Sequence, residues 1–325
     1  MSPDHDRPIF LAREHPPGTA AQAVHDGAWE RVRRGAYRPQ SPPPSSRHVA
    51  ERELAADRAR ALHLQLSAEH TLSHTTAALL HGFRLWTPPR TTHVVQAYNA
   101  SSVSADDVTR HRLPLGAGER VILGGLPVTS PARTVADCLR TSPPLDGLVV
   151  ADSALASGIR REDVAAVLDR QVPGARGVRR ARHVLELADA GAESAWESWL
   201  RYVVLRLGLP RPTTQLEIRT SIGRVRADAG WEQWRLLLEF DGLVKYRTSG
   251  DGLAPLDDPG RVLVQEKRRQ EAAERARWRM LRFMASDSAA SVEHRVLAAL
   301  PPEVVRSLRP DRLLPPLPRV TAHGR

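Results

Sequence analysis

An α+β chain built of several units is the expectation, and three observations lead to it. Apolar residues recur at helical spacing in some stretches and alternate in others, so both element types are present. Strand-like runs are short and interleaved with helices rather than gathered in one all-β block. The texture also changes twice, at the proline-rich PQSPPP of residues 39–44 and again after Ala192, in a chain of 325 residues that exceeds one ordinary domain. The expected units are residues 1–40, 46–190 and 192–300, with a Pro-rich, disordered tail over 301–325.

The first unit opens on Ile9, Phe10 and Leu11 and turns at Pro16-Pro17-Gly18. Thr19 is placed to cap a helix, TAAQAVHDG, that stops at Gly27. Residues 29–38, WERVRRGAYR, then alternate apolar and basic side chains around a glycine bend. A helix followed by such a hairpin is the pattern of a winged helix, with Arg31, Arg33, Arg34 and Arg38 offered to phosphate.

Residues 46–190 read as a mixed domain. Helices are expected over 49–67 and 73–82, the second capped by Ser73, and strands at 92–95 and 121–123, the latter returning through Gly124-Gly125 to 126–129 as a hairpin. Further helices follow over 131–139, 145–156 and 161–168, and a basic patch at 176–182 opens the last. Cys138, the single cysteine, falls in the apolar pattern of TVADCL and reads as a small buried side chain. His74 and His81 stand seven residues apart, and no histidine has ligand spacing to another, so all are read as structural.

From residue 192 the order α-β-β-β-α-β emerges. A helix spans 194–207 with Trp196, Leu200, Val203, Val204 and Leu207 along one stripe, and Gly208 ends it. Strands are expected at 215–219, 224–229 and 235–240, a long polar loop over 248–259, a basic helix over 262–277, a fourth strand over 278–283 and a closing helix over 291–300. Asp228 and Glu239, eleven residues apart on neighbouring strands of a hairpin, can meet at one edge of the sheet. Converging carboxylates suit Mg²⁺ or Mn²⁺, hard ions that accept phosphate oxygens.

Lysine adds to this. Lys and Arg number 47, and the only lysines are Lys245 and Lys267, both close in sequence to those acids. An ammonium is a compact cation that can assist a reacting phosphate or water, which a guanidinium does less well. Arg268 and Arg269 open the adjoining basic helix and are suited to holding a phosphate backbone.

Two resemblances attach to these residues. WERVRRGAYRP and LSHTTAALLHGF, with VTSPARTVADCL beyond them, resemble the AbiEi-type antitoxin and regulator family, which implies a winged-helix DNA-binding module followed by a small mixed domain. The Glu-aromatic-Asp-Gly-x-x-Lys-Tyr of EFDGLVKY, preceded by Asp228 and followed by Glu-Lys-Arg-Arg and Trp-Arg-x-Leu-Arg-Phe, resembles the DUF559 group of the PD-(D/E)XK endonucleases, related to the very-short-patch repair enzymes. That resemblance implies a restriction-endonuclease-like fold, Asp228 and Glu239 as metal-binding acids with Asp241 a further ligand, Lys245 as the catalytic cation, and Glu197 as the acid of the preceding helix. The position two residues after Glu239, where this superfamily keeps lysine, holds Asp241, so Lys267 stands as a rival to Lys245.

A net charge of +10 and a pI near 10.8 favour a polyanionic partner. No apolar run reaches membrane-spanning length and MSPDHDRPIF lacks a signal-peptide core, so a cytoplasmic protein is expected. Two functions compete. One is a DNA-binding protein whose C-terminal domain is a Mg²⁺-dependent endonuclease; the other is a non-enzymatic DNA-binding regulator or antitoxin, with a toxin as partner and a degenerate nuclease fold.

Overall fold

The chain forms two units, and a computed structural model describes residues 7–42, 44, 46–97, 106–171, 174–241 and 259–317 of them, the side chains of 259–266 excepted. Unit 1 comprises Met1–Ser142 with Gly158–Arg182, and unit 2 comprises Pro143–Ser157 with His183–Arg325. The α+β expectation holds, with three sheets among the described residues. No described helix is long and apolar enough to cross a membrane.

Unit 1 begins with β1 (Phe10–Leu11), α1 (Thr19–His25), β2 (Trp29–Arg33) and β3 (Ala36–Pro39). The strands pair antiparallel in the order β1-β3-β2. Gly18, at φ 89°, occupies the cap position instead of Thr19, which is the first helical residue. The ring of Phe10 stacks on Trp29 at 4.5 Å, and Leu11, Val32 and Ala36 bury themselves with Ala61 of the following helix. That helix, α2 (Arg47–Gln65), is capped by Ser46, whose hydroxyl accepts from the Val49 N–H at 3.3 Å.

A five-stranded sheet follows, made of β4 (Thr71–Leu72), β5 (Thr92–Val95), β6 (Val108–His111), β7 (Arg120–Leu123) and β8 (Leu126–Thr129) in the order β6-β5-β4-β8-β7. The β7–β8 hairpin is the one expected from Gly124-Gly125. Strands β4 and β6 were not expected: one is two residues long, and the other, VTRH, carries no apolar alternation. α3 (His74–Leu80) packs on this sheet through Ala77 and Leu80, joined by Leu62, Leu72, Val94 and Val128. α4 (Pro131–Thr141), with Cys138 fully buried, and α6 (Arg161–Asp169) complete the unit.

Unit 2 takes α5 (Pro144–Ala156) from the middle of the chain. α7 (Val178–Leu187) spans the boundary in sequence, and α8 (Ala195–Arg206) follows. Asp152 of α5 accepts from Arg201 and Ser198 of α8, each at 2.7 Å, and from the Asp189 N–H at 2.7 Å. β9 (Thr213–Thr220), β10 (Gly223–Trp231), β11 (Leu236–Asp241) and β12 (Arg279–Met284) form the order β12-β11-β10-β9. The first three are antiparallel; β11 and β12 are parallel, and α9 (Pro259–Arg275) lies between them in sequence, as a parallel connection requires. Leu216, Ile218, Val225, Ala227, Leu237 and Met280 pack with Ala273 of α9, and Trp196 of α8 stacks on Phe240 at 4.8 Å.

α10 (Ala289–Leu297) and α11 (Pro302–Ser307) close the described chain. The segment expected to be a disordered tail is anchored as far as residue 315: Leu314 is buried, Tyr202 donates to the Pro315 carbonyl at 2.8 Å, and His183 meets Asp311. A polar, proline-rich composition obscured these anchors because each depends on a partner more than a hundred residues away.

Candidate functional site

The arginines assigned to DNA divide into two groups. Arg31 and Arg34 are exposed where β2 turns into β3, and Arg268 is exposed on α9. Arg33 and Arg38 are not available to phosphate as they stand. The Arg33 guanidinium forks onto Asp107 at 2.9 and 3.2 Å, and Arg38 is buried between Glu30 and Asp57. Both cations are satisfied by carboxylates of this unit, Arg33 lying beyond an irregularity in the β2–β3 pairing that separates it from exposed Arg31. Arg269 is likewise engaged: it donates to the Arg226 carbonyl at 2.9 Å and to Glu239 at 3.0 Å.

The acids of unit 2 sit where β10, β11 and the start of α8 come together. Ala229 pairs with Leu238, so Asp228 and Glu239 occupy the next step of the same antiparallel ladder. Asp228 accepts the Phe240 N–H at 2.6 Å. Glu197, in the first turn of α8, has its N–H capped by the Ser194 hydroxyl at 3.1 Å. Its carboxylate accepts from the Glu193 N–H at 2.8 Å and from Gln215 at 3.2 Å. Burial pushes the Glu197 carboxyl above its ordinary pKa, and the neighbouring charge of Asp228 adds to that push. Gln215 is held at φ 51°, in the left-handed region, opposite Asp228 on the adjoining strand.

Glu239 is neutralised by two guanidiniums, Arg269 at 3.0 Å and Arg282 at 3.1 Å. Asp241 ends β11 and is partly exposed, while Lys267 is exposed on α9. Lys245 lies outside the described residues. No three of Glu197, Asp228, Glu239 and Asp241 bring carboxylate oxygens within 4.8 Å of one another. The donor set as arranged therefore does not fit a three-carboxylate magnesium site, and an ion there has to compete with Arg269 and Arg282 for Glu239.

The single His/Cys/Asp/Glu cluster among the described residues that does meet that distance is His74, His93 and His111 in unit 1. Residue spacing did not reveal it, since the three are 19 and 18 positions apart and come from α3, β5 and β6. Only the pairing of β5 with β6, and the return of α3 onto them, gathers the rings.

Comparison with known proteins places part of this chain. Residues 71–187 match the family model of the AbiEi antitoxin C-terminal domain. Two Mycobacterium tuberculosis proteins, uncharacterized protein MT2308 of strain CDC 1551 / Oshkosh and uncharacterized protein Rv2248 of strain ATCC 25618 / H37Rv, are each 36% identical over 132 residues, which is 40% of this chain and 48% of theirs. The chain thus spans about half the length of the curated relatives it matches. The crystal structure of the RV2827C protein from Mycobacterium tuberculosis aligns at a TM-score of 0.35 and 15% identity, over 56% of this chain and 72% of that one, a likeness too low to carry an argument.

Proposed function

We propose that this protein is a DNA-binding regulator of the antitoxin type. The match of residues 71–187 to an antitoxin domain carries the reading. Support comes from the N-terminal module, where α1 is followed by the β2–β3 hairpin and that hairpin presents Arg31 and Arg34 to solvent. In this reading the helix and hairpin act as a winged helix, the exposed cations neutralise operator phosphates, and the surplus of +10 charges draws the protein to duplex DNA. A toxin is the protein partner.

The test is binding of the full chain to DNA from upstream of its own reading frame, measured across a salt series. Sequence-selective binding that weakens in the Arg31→Ala/Arg34→Ala double variant supports the assignment. Equal binding to unrelated duplexes, or no change in the double variant, removes it.

A second reading is favoured by one observation, the raised Glu197 carboxyl beside Asp228 at the edge of a β9–β12 sheet whose order follows α-β-β-β-α-β. We infer from it a divalent-metal-dependent nuclease in unit 2, of the DUF559 type, in which Asp228 and Glu239 carry the ion and Lys245 or Lys267 assists. Incubation of the protein with DNA and Mg²⁺ or Mn²⁺ decides it. Cleavage that disappears in Asp228→Ala supports the nuclease; intact DNA under both ions leaves unit 2 a binding or assembly element.

A further inference from the structure

We infer that His74, His93 and His111 form a binding site in unit 1 for a divalent transition-metal ion of the zinc class. One ligand nitrogen from each ring lies within 4.8 Å of those of the other two. The ring of His74 stacks on His111 with centroids 3.6 Å apart, and His93 lies 5.5 and 5.2 Å from the two. Imidazole is the ligand that zinc, copper, nickel and cobalt share, and three of them leave an open coordination position.

His74 carries the strongest indication. It is 1% exposed, and its Nδ1 lies 2.9 Å from the Ser73 hydroxyl. With the proton on Nδ1, the lone pair is on Nε2, and that atom is buried with no hydrogen-bond partner among the described residues. Leaving a buried acceptor unsatisfied is costly. A Lewis acid is the partner such a lone pair can take, and an imidazole fixed through its other nitrogen is how metal-binding histidines are ordinarily oriented. His74 also stands at φ 52°, in the left-handed region, at the first residue of α3.

Backbone hydrogen bonds fix His93 against the start of α3. The His93 N–H donates to the Thr76 hydroxyl at 2.9 Å, and its carbonyl accepts the Ser73 N–H at 3.0 Å, which ties β5 to the start of α3. His93 Nδ1 and His111 Nε2 are 2.9 Å apart. Burial keeps all three histidines below their ordinary pKa, to about 2 for His74 and about 4 for His93 and His111.

Two cations bear on the site, since Arg133 and Arg140 both push His74 further down. Arg133 is matched by Asp137 and Glu119. That pairing reduces the opposition of Arg133 to a bound cation. The rings are nearly parallel, at 14–27°, so coordination requires rotation about χ2, a torsion with broad wells.

The test uses the full chain, stripped of metal by chelator and titrated with Zn²⁺ by calorimetry and with Co²⁺ by visible absorption. The expected result is one ion per chain, with d–d bands of low-symmetry cobalt and a melting temperature raised by Zn²⁺. His93→Asn and His111→Asn should each weaken Zn²⁺ binding by about 10-fold or more, and Ser73→Ala by about 10-fold through the orientation of His74. His74→Asn keeps a residue that tolerates the left-handed backbone, and circular dichroism of each variant shows whether it folds. Absence of Zn²⁺ binding at micromolar ion, or binding indifferent to both His93→Asn and His111→Asn, overturns the site and leaves a metal-free histidine stack.

Discussion

Arg201 donates to Asp152 at 2.7 Å with both side chains buried, and this pair joins α8 to a helix lying some fifty residues earlier in the chain. The carboxylate is satisfied further by Ser198 and by the Asp189 N–H, and Arg201 also donates to the Leu187 carbonyl at 2.6 Å. Removing one partner leaves the other charge buried. Asp152→Ala should therefore destabilise unit 2 by about 3–5 kcal/mol, read as a lowered urea midpoint. A change below about 1 kcal/mol would contradict the pairing.

A pH effect is expected from Glu119. Burial by itself raises its carboxyl, but hydrogen bonds from Arg170 and the Gly116 N–H, with the charge of Arg133, outweigh burial and hold it below the ordinary value. The unfolded chain then takes up the proton first as pH falls. The stabilisation is complete above about pH 4.3 and is lost as pH drops through the lower folded value. The resistance of the native protein to denaturation should fall more steeply between about pH 5 and pH 3 than that of Glu119→Gln. Parallel curves for the two proteins would show that Glu119 titrates normally.

The two classes of N-terminal arginine should separate in one experiment. Arg38→Ala removes a cation from buried Asp57, leaving Arg60 as its partner, and should cost about 1–3 kcal/mol of stability. Arg31→Ala and Arg34→Ala alter exposed side chains and should change stability by less than about 0.5 kcal/mol. Each should lower the slope of log affinity for DNA against log salt by about 1. Thermal melts and salt-dependent binding, run side by side, check both halves.

Gly208 ends α8 at φ 84°, and a Cβ there would meet the Arg309 carbonyl oxygen at 2.1 Å. Backbone cannot yield as a flexible side chain would, so Gly208→Ala should cost more than about 1 kcal/mol. A melting temperature equal to the native one would mean that residues 309–315 do not hold their place.

Much of the fold was legible because periodicity is a local signal. The stripe of Leu200, Val203, Val204 and Leu207 located α8, and the Leu236-Leu237-Leu238 run located β11. The Ser73 assignment was half right: Ser73 is the cap residue of α3, but its hydroxyl contacts His74 rather than a helix N–H. Charge pairing was the least legible feature. Arg33 with Asp107, Arg38 with Asp57 and Glu239 with Arg269 are set by tertiary approach, which residue spacing does not encode, so cations read as ligands for DNA proved to be internal partners. The histidine cluster was hidden for the same reason.

The placement of α5 bears on how the chain folds as it is made. Residues 143–157 emerge from the ribosome before 158–182, yet they belong to unit 2 while the later stretch belongs to unit 1. Asp152 and its helix must wait for Ser198 and Arg201 of α8, and so the buried side chains of α5 lack that cover while unit 1 is being completed. A fragment starting at residue 183 would carry the complementary defect, with the Arg201 guanidinium lacking Asp152. Order of synthesis and order of docking are thus interleaved, and that interval is when α5 is open to chaperones or to misassembly with another copy.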